Sequence, residues 1–486
     1  MITTSADLNA VRRRDDLSRA AGETVDVLVV GGGITGVGVA LDAASRGLSV
    51  TLVEAEDLAF GTSRFSSKLV HGGLRYLATG DVATAKESAL ERHLLMTQIA
   101  PHLIRPLPQL LPFAPGVTFS QRSAGAVGMV MGDLLRMRAH TSRRTLPGPR
   151  AVSARTARRL VPALSVQGLR GGMLSYDGQL VDDARLVVTV ARTAAGLGTS
   201  ILTRVRAVEL RGDGASAEDA LTGERFELRA RSVINATGVW AGTLDPAIAV
   251  RPSRGTHIVL DAADLGHPAA ALTIPHPGSI SRYVFALPQQ HGRVIVGLTD
   301  EDAPEPVPRV AAPTEAEIVF LLDSVNRVLA EPIGRDRVRG AFAGLRPLVD
   351  TGGESTADVS RRHLVAASDD GFVSVLGGKL TTYRRMAEDA VDLAVRLHGL
   401  PQRPSRTAAL RLVDAAGGPS EPVADGLFLT REDVVSAVRT ELALTVDDVL
   451  DRRSRIGLVP EERERALAPV SALVARTLAE LSENGG

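Results

Sequence analysis

The chain has no cysteine, which excludes disulfides, thiolate nucleophiles, cysteine-ligated metals and iron–sulfur clusters. Redox chemistry would therefore fall to an organic cofactor or to a metal with other ligands. No H-E-x-x-H string or carboxylate–histidine cluster argues for a metal. No apolar run approaches the ~18 residues that span a bilayer. Residues 1–24 lack the apolar core of a signal peptide and read as a flexible leader of a cytoplasmic protein. Net charge is zero, with 56 basic residues against 56 acidic, which argues against broad non-specific binding of nucleic acid. No internal repeat is visible. At 486 residues and 44% hydrophobic content, the chain is long enough for two to three filled cores and too apolar for global disorder.

Lysine is nearly missing. Only Lys68, Lys86 and Lys379 survive among the 56 basic residues. Where the drift is towards arginine, a retained lysine marks a place where a compact ammonium and a planar fork are not interchangeable. Lys68 lies in SSKLVHGGLRYL and Lys379 in GGKLTTYRR, both rich in glycine and hydroxyl groups. These settings suit a cofactor or substrate pocket. Lys86 lies on a polar helix face and reads as ordinary.

The strongest positive signal is VDVLVVGGGITGVGVALDAASRGLSVTLVE, Val25 to Glu54. It reads as strand, glycine turn, helix, strand, acid. Gly31 permits the tight turn, Gly33 lets backbone approach a pyrophosphate, and Gly36 lets helix and strand pack closely. The helix N-terminus would face the phosphates, and Glu54 could take the ribose hydroxyls. The pattern predicts a bound dinucleotide. A second glycine junction at Gly377 and Gly378 and the late strand INATGVW favour FAD; NAD remains the alternative on these grounds.

The rest of the chain reads as a discontinuous dinucleotide domain with an inserted antiparallel sheet. Expected parts are a leader over 1–24, cofactor-binding segments over 25–90, 176–245 and 341–400, and substrate segments over 91–175 and 246–340. A linker and shortened helical C-terminal region fill 401–486. LIRPLPQLLPF reads as broken by Pro106, Pro108 and Pro112. VDDARLVVTVARTAAG reads as a helix capped by Asp182 or Asp183. Residues 122–138 form an apolar helix, and ten arginines face one acid between Arg122 and Arg170. The bland reading of that stretch is a core helix and a solvated basic face; the alternative is a surface for anionic lipid.

VVGGGITGVGVALDAASRGLSVTLVEAEDLAFGTSRFSSKLVHGGLRYL, GTHIVL, GLRPLVD and LGGKLTTYRRMAE together resemble the FAD-dependent glycerol-3-phosphate dehydrogenase family over roughly residues 25–400. The resemblance implies an α/β fold of the D-amino-acid-oxidase kind: a discontinuous Rossmann-like FAD domain, an inserted antiparallel-sheet substrate domain and a helical C-terminal region. It implies FAD, sn-glycerol 3-phosphate as substrate, dihydroxyacetone phosphate as product and a membrane quinone as acceptor. It also implies peripheral contact with the inner face of the plasma membrane and a homodimer.

By this resemblance Arg75, Tyr76, Arg346, Arg361 and Lys379 line the substrate pocket, as a dianion would require. Catalytic roles fall to His257, Arg346 and Lys379, with His257 the candidate for proton transfer. The cofactor would be held by Gly31, Gly33, Ile34, Thr35, Gly36 and Glu54 from the first unit. Thr62, Ser63, Ser66, Ser67, Lys68, Leu69, His71, Gly72 and Gly73 would follow, His71 facing the flavin. Val205, Thr237, Gly238, Gly378, Leu380 and Thr381 would close the site. An amine or hydroxy-acid oxidase of the same fold is the alternative, and a nucleotide-binding module without turnover is a third reading.

Overall fold

A computed structural model describes residues 4–73, 81–280, 282–303, 306–349, 363–414, 418 and 420–484. The glycine-turn unit forms as its pattern requires. Strand Thr24–Val30 pairs in parallel with Val50–Glu54 on one side and Arg225–Asn235 on the other. The order His363–Ala367, Val373–Gly377, Arg225–Asn235, Thr24–Val30, Val50–Glu54, Ser200–Thr203 completes the sheet, extended by the hairpin Val205–Arg211 and Gly214–Asp219.

Both faces of this sheet are covered, which is why its strands are apolar runs rather than alternating ones. Val27 and Val29 pack with helices Ile34–Ser45, Asp183–Ala195 and Tyr383–His398. Leu28 and Val30, one residue out of phase, pack with Leu210, Ala215, Ala217 and Leu228 of the hairpin layer. Asp182 is the cap of its helix, its side chain accepting from Arg185 N at 3.1 Å. Asp183 enters the first turn and is buried.

Among the described residues the second sheet has ten strands. Its spine is Val250–Asp261, which pairs antiparallel with Gly340–Val349 from Val250↔Val349 to Val259↔Gly340. Its far side carries Ile104–Pro112 against Gly172–Leu180. Helices Phe119–Arg138 and Glu315–Asn326 pack on it. Two helices, Arg431–Thr440 and Pro460–Asn484, build a separate apolar cluster at the C-terminus.

Several expectations are corrected. The leader is not free: Ala10–Gly22 is a helix, and its buried Arg13 donates to Thr203 O at 2.7 Å and Asp219 Oδ1 at 2.7 Å. The segment with three prolines is a continuous strand, Ile104–Pro112. Pro106, Pro108 and Pro112 share parity, so their missing N–H groups fall on one edge. On one of its two sides the strand pairs only through Gln109 and Leu110. The start of the linker is packed rather than loose. Ser405 and Thr407 donate to Asp42, and Leu412 is buried. Both Gly172–Leu180 and Gly340–Val349 belong to the second sheet, so the expected borders at 175 and 340 each fall at or inside one of its strands.

Candidate active site

The two sheets enclose a cavity of about 1260 Å³. A single small-molecule pocket is commonly about 300–1,000 Å³, so this hollow suits a dinucleotide with a substrate beside it. Whether its walls fit FAD is decided by the glycine turn. A Cβ on Gly36 would lie 1.8 Å from Gly31 O, and one on Gly31, at φ +113°, would lie 2.6 Å from Ala236 O. Only glycines permit this turn. The N-terminus of Ile34–Ser45 opens on the cavity without a side-chain cap at Gly33; Ile34 N donates to Ser63 Oγ at 2.9 Å. Glu54 accepts from Gly32 N at 2.6 Å and Glu56 N at 2.8 Å. Burial pushes its carboxyl from 4.5 up to about 7, against the pull of those two N–H groups. Helix N-terminus, glycine turn and acid thus stand where a pyrophosphate and ribose would lie.

Most of the sequence-derived residues meet here. Gly31, Gly33, Ile34, Thr35, Glu54, Thr62, Ser63, Ser66, Ser67, Leu69, His71, Val205, Thr237, Gly238, Gly378, Leu380 and Thr381 line the cavity, as do His257, Arg346 and Lys379. Gly36 serves the turn from behind. Arg75, Tyr76 and Arg361 lie outside the described residues. Gly72 and Gly73 are not on the wall: Gly72 abuts the Arg92 guanidinium and Gly73 abuts Ser88.

Lys68 is also corrected. Its ammonium is fully buried behind the wall, 2.9 Å from Asp183 Oδ2 and donating to Arg64 O at 2.9 Å. Asp183 Oδ2 also accepts from Ser66 N at 2.9 Å and Ser66 Oγ at 2.7 Å. The retained lysine therefore fixes the turn that presents Ser66 and Ser67, rather than touching a ligand with its charge. Burial pushes its ammonium down to about 8, with Asp183 opposing.

Across from this turn, His257 Nε2 is 2.8 Å from Ser67 Oγ, and the ring stacks on Phe342 with centroids 4.9 Å apart. Its Nδ1 is buried with no hydrogen-bond partner among the described residues. Burial first, then the positive charges of Lys68 and Arg346, hold the imidazole neutral, with its pKa down at about 3. Arg346 Nη1 donates to Asp300 Oδ1 at 2.9 Å and Ser253 Oγ at 3.0 Å, and Nη2 to Thr299 O at 3.2 Å. Lys379 Nζ donates to Ser88 Oγ at 2.9 Å. An arginine, a lysine and a neutral imidazole thus share the wall of one cavity.

Sequence reasoning missed the aromatic walls, Phe60, Phe65, Tyr283 and Phe285, and the polar Gln109, Asp177 and Asp300. Trp240, on the same wall, is the last residue of the INATGVW string, and that string already marked it. Nothing local marks Asp177, whose partner Arg92 lies far off in sequence at 2.6 Å.

A family model described as FAD dependent oxidoreductase matches residues 26–384. Glycerol-3-phosphate dehydrogenase 1 of Mycobacterium tuberculosis H37Rv is 51% identical, the match covering 97% of this chain and 99% of that one. The mitochondrial glycerol-3-phosphate dehydrogenase of Bos taurus is 37% identical over 80% of this chain and 55% of its own. Among solved structures, a glycerol-3-phosphate dehydrogenase from Bacillus halodurans complexed with FAD superposes with TM-score 0.71 at 25% identity, covering 98% of this chain and 97% of that one. An L-alpha-glycerophosphate oxidase from Mycoplasma pneumoniae with FAD bound shares the fold at TM-score 0.60 and 21% identity, over 80% of this chain and 99% of its own.

Glu54 makes a pH-dependent contribution in the cofactor-free protein. Its folded pKa of about 7 is above its ordinary 4.5. The associated stability is complete below the ordinary value and lost as pH rises through the folded one. Glu54→Gln removes this titration, so the variant's urea midpoint should vary less than wild type between about pH 5 and pH 8. Superimposable pH curves for the two proteins would assign the titration elsewhere.

Proposed function

The chain belongs to the FAD-dependent glycerol-3-phosphate dehydrogenase family of oxidoreductases, and we propose that it oxidises sn-glycerol 3-phosphate to dihydroxyacetone phosphate and delivers the electrons to a membrane quinone. The observation that carries the reading is the joining of a dinucleotide cradle to an anion pocket in one cavity. Bound FAD supplies the acceptor for the hydride leaving carbon 2. Every other task belongs to the protein.

Arg346 and Lys379 take the substrate phosphate. Asp300 and Ser253 fix the arginine's orientation, so its fork does not have to be ordered on binding. Arg75, Tyr76 and Arg361 join them by the family resemblance. His257 accepts the proton of the carbon-2 hydroxyl. A neutral imidazole is the state that can accept, but a depressed pKa makes a weak base. Arg346 contributes to that depression, so a phosphate dianion paired with Arg346 raises the basicity of His257 at the moment it is needed. The apolar aromatic wall around Phe342 keeps water from the imidazole.

The helix Phe119–Arg138 supports the acceptor and membrane part of the reading. Ala124, Gly125, Gly128 and Met129 line the cavity, while Phe119, Val127, Val130, Met131, Leu134 and Met137 are exposed, Phe119 by 84%. These exposed positions follow helical spacing along one side. Exposed Arg138 ends the helix, and exposed Arg143, Arg144, Arg150, Arg155, Arg158 and Arg159 stand beyond it. An apolar row flanked by arginine suits an anionic bilayer, and it would bring a lipid-soluble acceptor to the far side of the cavity wall. No helix among the described residues is long and apolar enough to cross a membrane, so the association is peripheral.

Three outcomes are expected. The visible flavin band of the anaerobic holoenzyme should bleach on adding sn-glycerol 3-phosphate; bleaching only by amines or hydroxy acids would favour an oxidase reading instead. Arg346→Lys, which keeps charge and loses the fork, should raise KM for the substrate about 10- to 100-fold, and an unchanged KM would take Arg346 out of the phosphate pocket. In flotation assays the protein should rise with phosphatidylglycerol vesicles more than with phosphatidylcholine vesicles. Leu134→Glu should lower that fraction several-fold while turnover with a soluble dye is retained; equal flotation of both proteins would exclude this helix as the contact.

A further inference from the structure

The family match ends at residue 384, yet a short stretch of the C-terminal region lies directly behind the cofactor cavity. Arg453 grips Asp57 with two parallel bonds, Nη1 to Oδ2 at 2.9 Å and Nη2 to Oδ1 at 2.8 Å, and Arg452 Nε adds a third at 2.6 Å. All three side chains are buried. Asp57 stands three residues beyond Glu54 and three before Phe60, both on the cavity wall. The Arg452 guanidinium also sits 5.7 Å from the centroid of the Phe60 ring. Arg455 reaches the opposite loop: Nε lies 2.9 Å from Asp182 Oδ2 and Nη2 donates to Val181 O at 3.1 Å. Next along the chain is Asp183, the carboxylate that gathers Ser66 and Lys68.

The same stretch then packs behind His257. Val459 and Leu458 cluster with Phe342 and Phe65, and Phe342 is the ring on which His257 stacks. A Cβ on Gly340 would lie 2.0 Å from Leu458 O. That close approach brings the first residue of the strand carrying Phe342 and Arg346 against the C-terminal backbone. Three separate pieces of the cavity wall are thus fastened to eight consecutive residues.

We propose that Arg452–Val459 is a brace of the flavin site, whose side chains position the ribose-side loop at Asp57, the Ser66–Lys68 turn and the Phe342 face behind His257. None of its residues lines the cavity, so they are positioning residues and not catalytic ones. Two buried arginines and a partly buried third on carboxylates explain why the brace specifies geometry: a buried ion pair adds little net stability, but leaving one partner unpaired is costly, so alternative placements of either loop are disfavoured. The inference rests on FAD as the occupant of the cavity and is independent of the substrate assigned above.

The test uses the full chain, stripped of flavin and titrated with FAD by quenching of flavin fluorescence, with circular dichroism as the check on folding. Arg455→Gln should keep the fold, weaken FAD about tenfold, the worth of one charge-assisted contact, and shift the visible flavin band of the reloaded protein. Arg455→Lys should restore part of both. Arg439→Gln, which breaks the 2.7 Å pair with Glu480 inside the C-terminal region, is the control for mere loss of tail stability and should leave FAD affinity and spectrum unchanged. Val459→Ala, a milder trim behind Phe342, should shift the band even if Arg455→Gln does not fold. The proposal is overturned if Arg455→Gln and Arg439→Gln bind FAD alike, or if the folded brace variants show the wild-type band and affinity. Failure of the wild-type apoprotein itself to bind FAD would instead remove the cofactor reading on which the brace depends.

Discussion

A hollow of about 1260 Å³ between two sheets has no packing of its own to keep its walls apart. In this protein the walls are held from behind by buried carboxylates, each closed by a cation from a distant part of the chain. Asp183 with Lys68 fixes the Ser66–Leu69 turn. Asp57 with Arg452 and Arg453 fixes the loop after Glu54. Glu91 with Arg384 ties the helix Val82–Leu94 to the helix that follows Thr381. Asp177, itself on the wall, is held by Arg92 at 2.6 Å. Apolar side chains tolerate sliding, whereas a buried ion pair left open is penalised heavily. That difference makes ionic fastening suited to a site where positions matter more than total stability. It also accounts for the arginine: a planar fork can grip a carboxylate bidentately, as Arg453 does on Asp57.

This division of labour explains which parts of the molecule the sequence made legible. The glycine turn was readable because its geometry is local: Gly31 and Gly36 touch each other across five residues, and their spacing states the constraint. Helix Asp183–Ala195 was readable through its cap and periodicity. Lys68 stood out as one of three lysines in an arginine-rich chain, but the partner of its buried ammonium, Asp183, lies 115 positions later (183 − 68) and carries no local mark. Phe60 and Phe65 were missed because aromatic residues in loops carry no period. The prolines of Ile104–Pro112 misled for the opposite reason: their local signal is strong, and only the pairing of the neighbouring strands shows that their edge tolerates them. His257, Arg346 and Lys379 became candidates through resemblance to a family rather than through pattern, since a lone histidine or arginine on a strand has no spacing to distinguish it.

The electrostatics of the cavity join these fastenings to chemistry. Arg346 and Lys379 line the cavity and Lys68 lies behind its wall; Lys68 is paired with Asp183 and Arg346 with Asp300. Burial holds His257 neutral, and the positive charges of Lys68 and Arg346 add to it. A monoanion at Arg346 would cancel that arginine's charge as His257 feels it. A phosphate dianion reaching Arg346 reverses its sign, and so changes the proton affinity of the imidazole more than a carboxylate substrate would. On the proposed roles of Arg346 and His257, discrimination between a phosphate-bearing alcohol and a hydroxy acid would reside in the coupling between anion binding and base strength, as well as in the fit of the anion itself. Because His257 is set by Phe342 on one side and Ser67 on the other, and both are fixed by residues outside the cavity, that coupling depends on how firmly the walls are held.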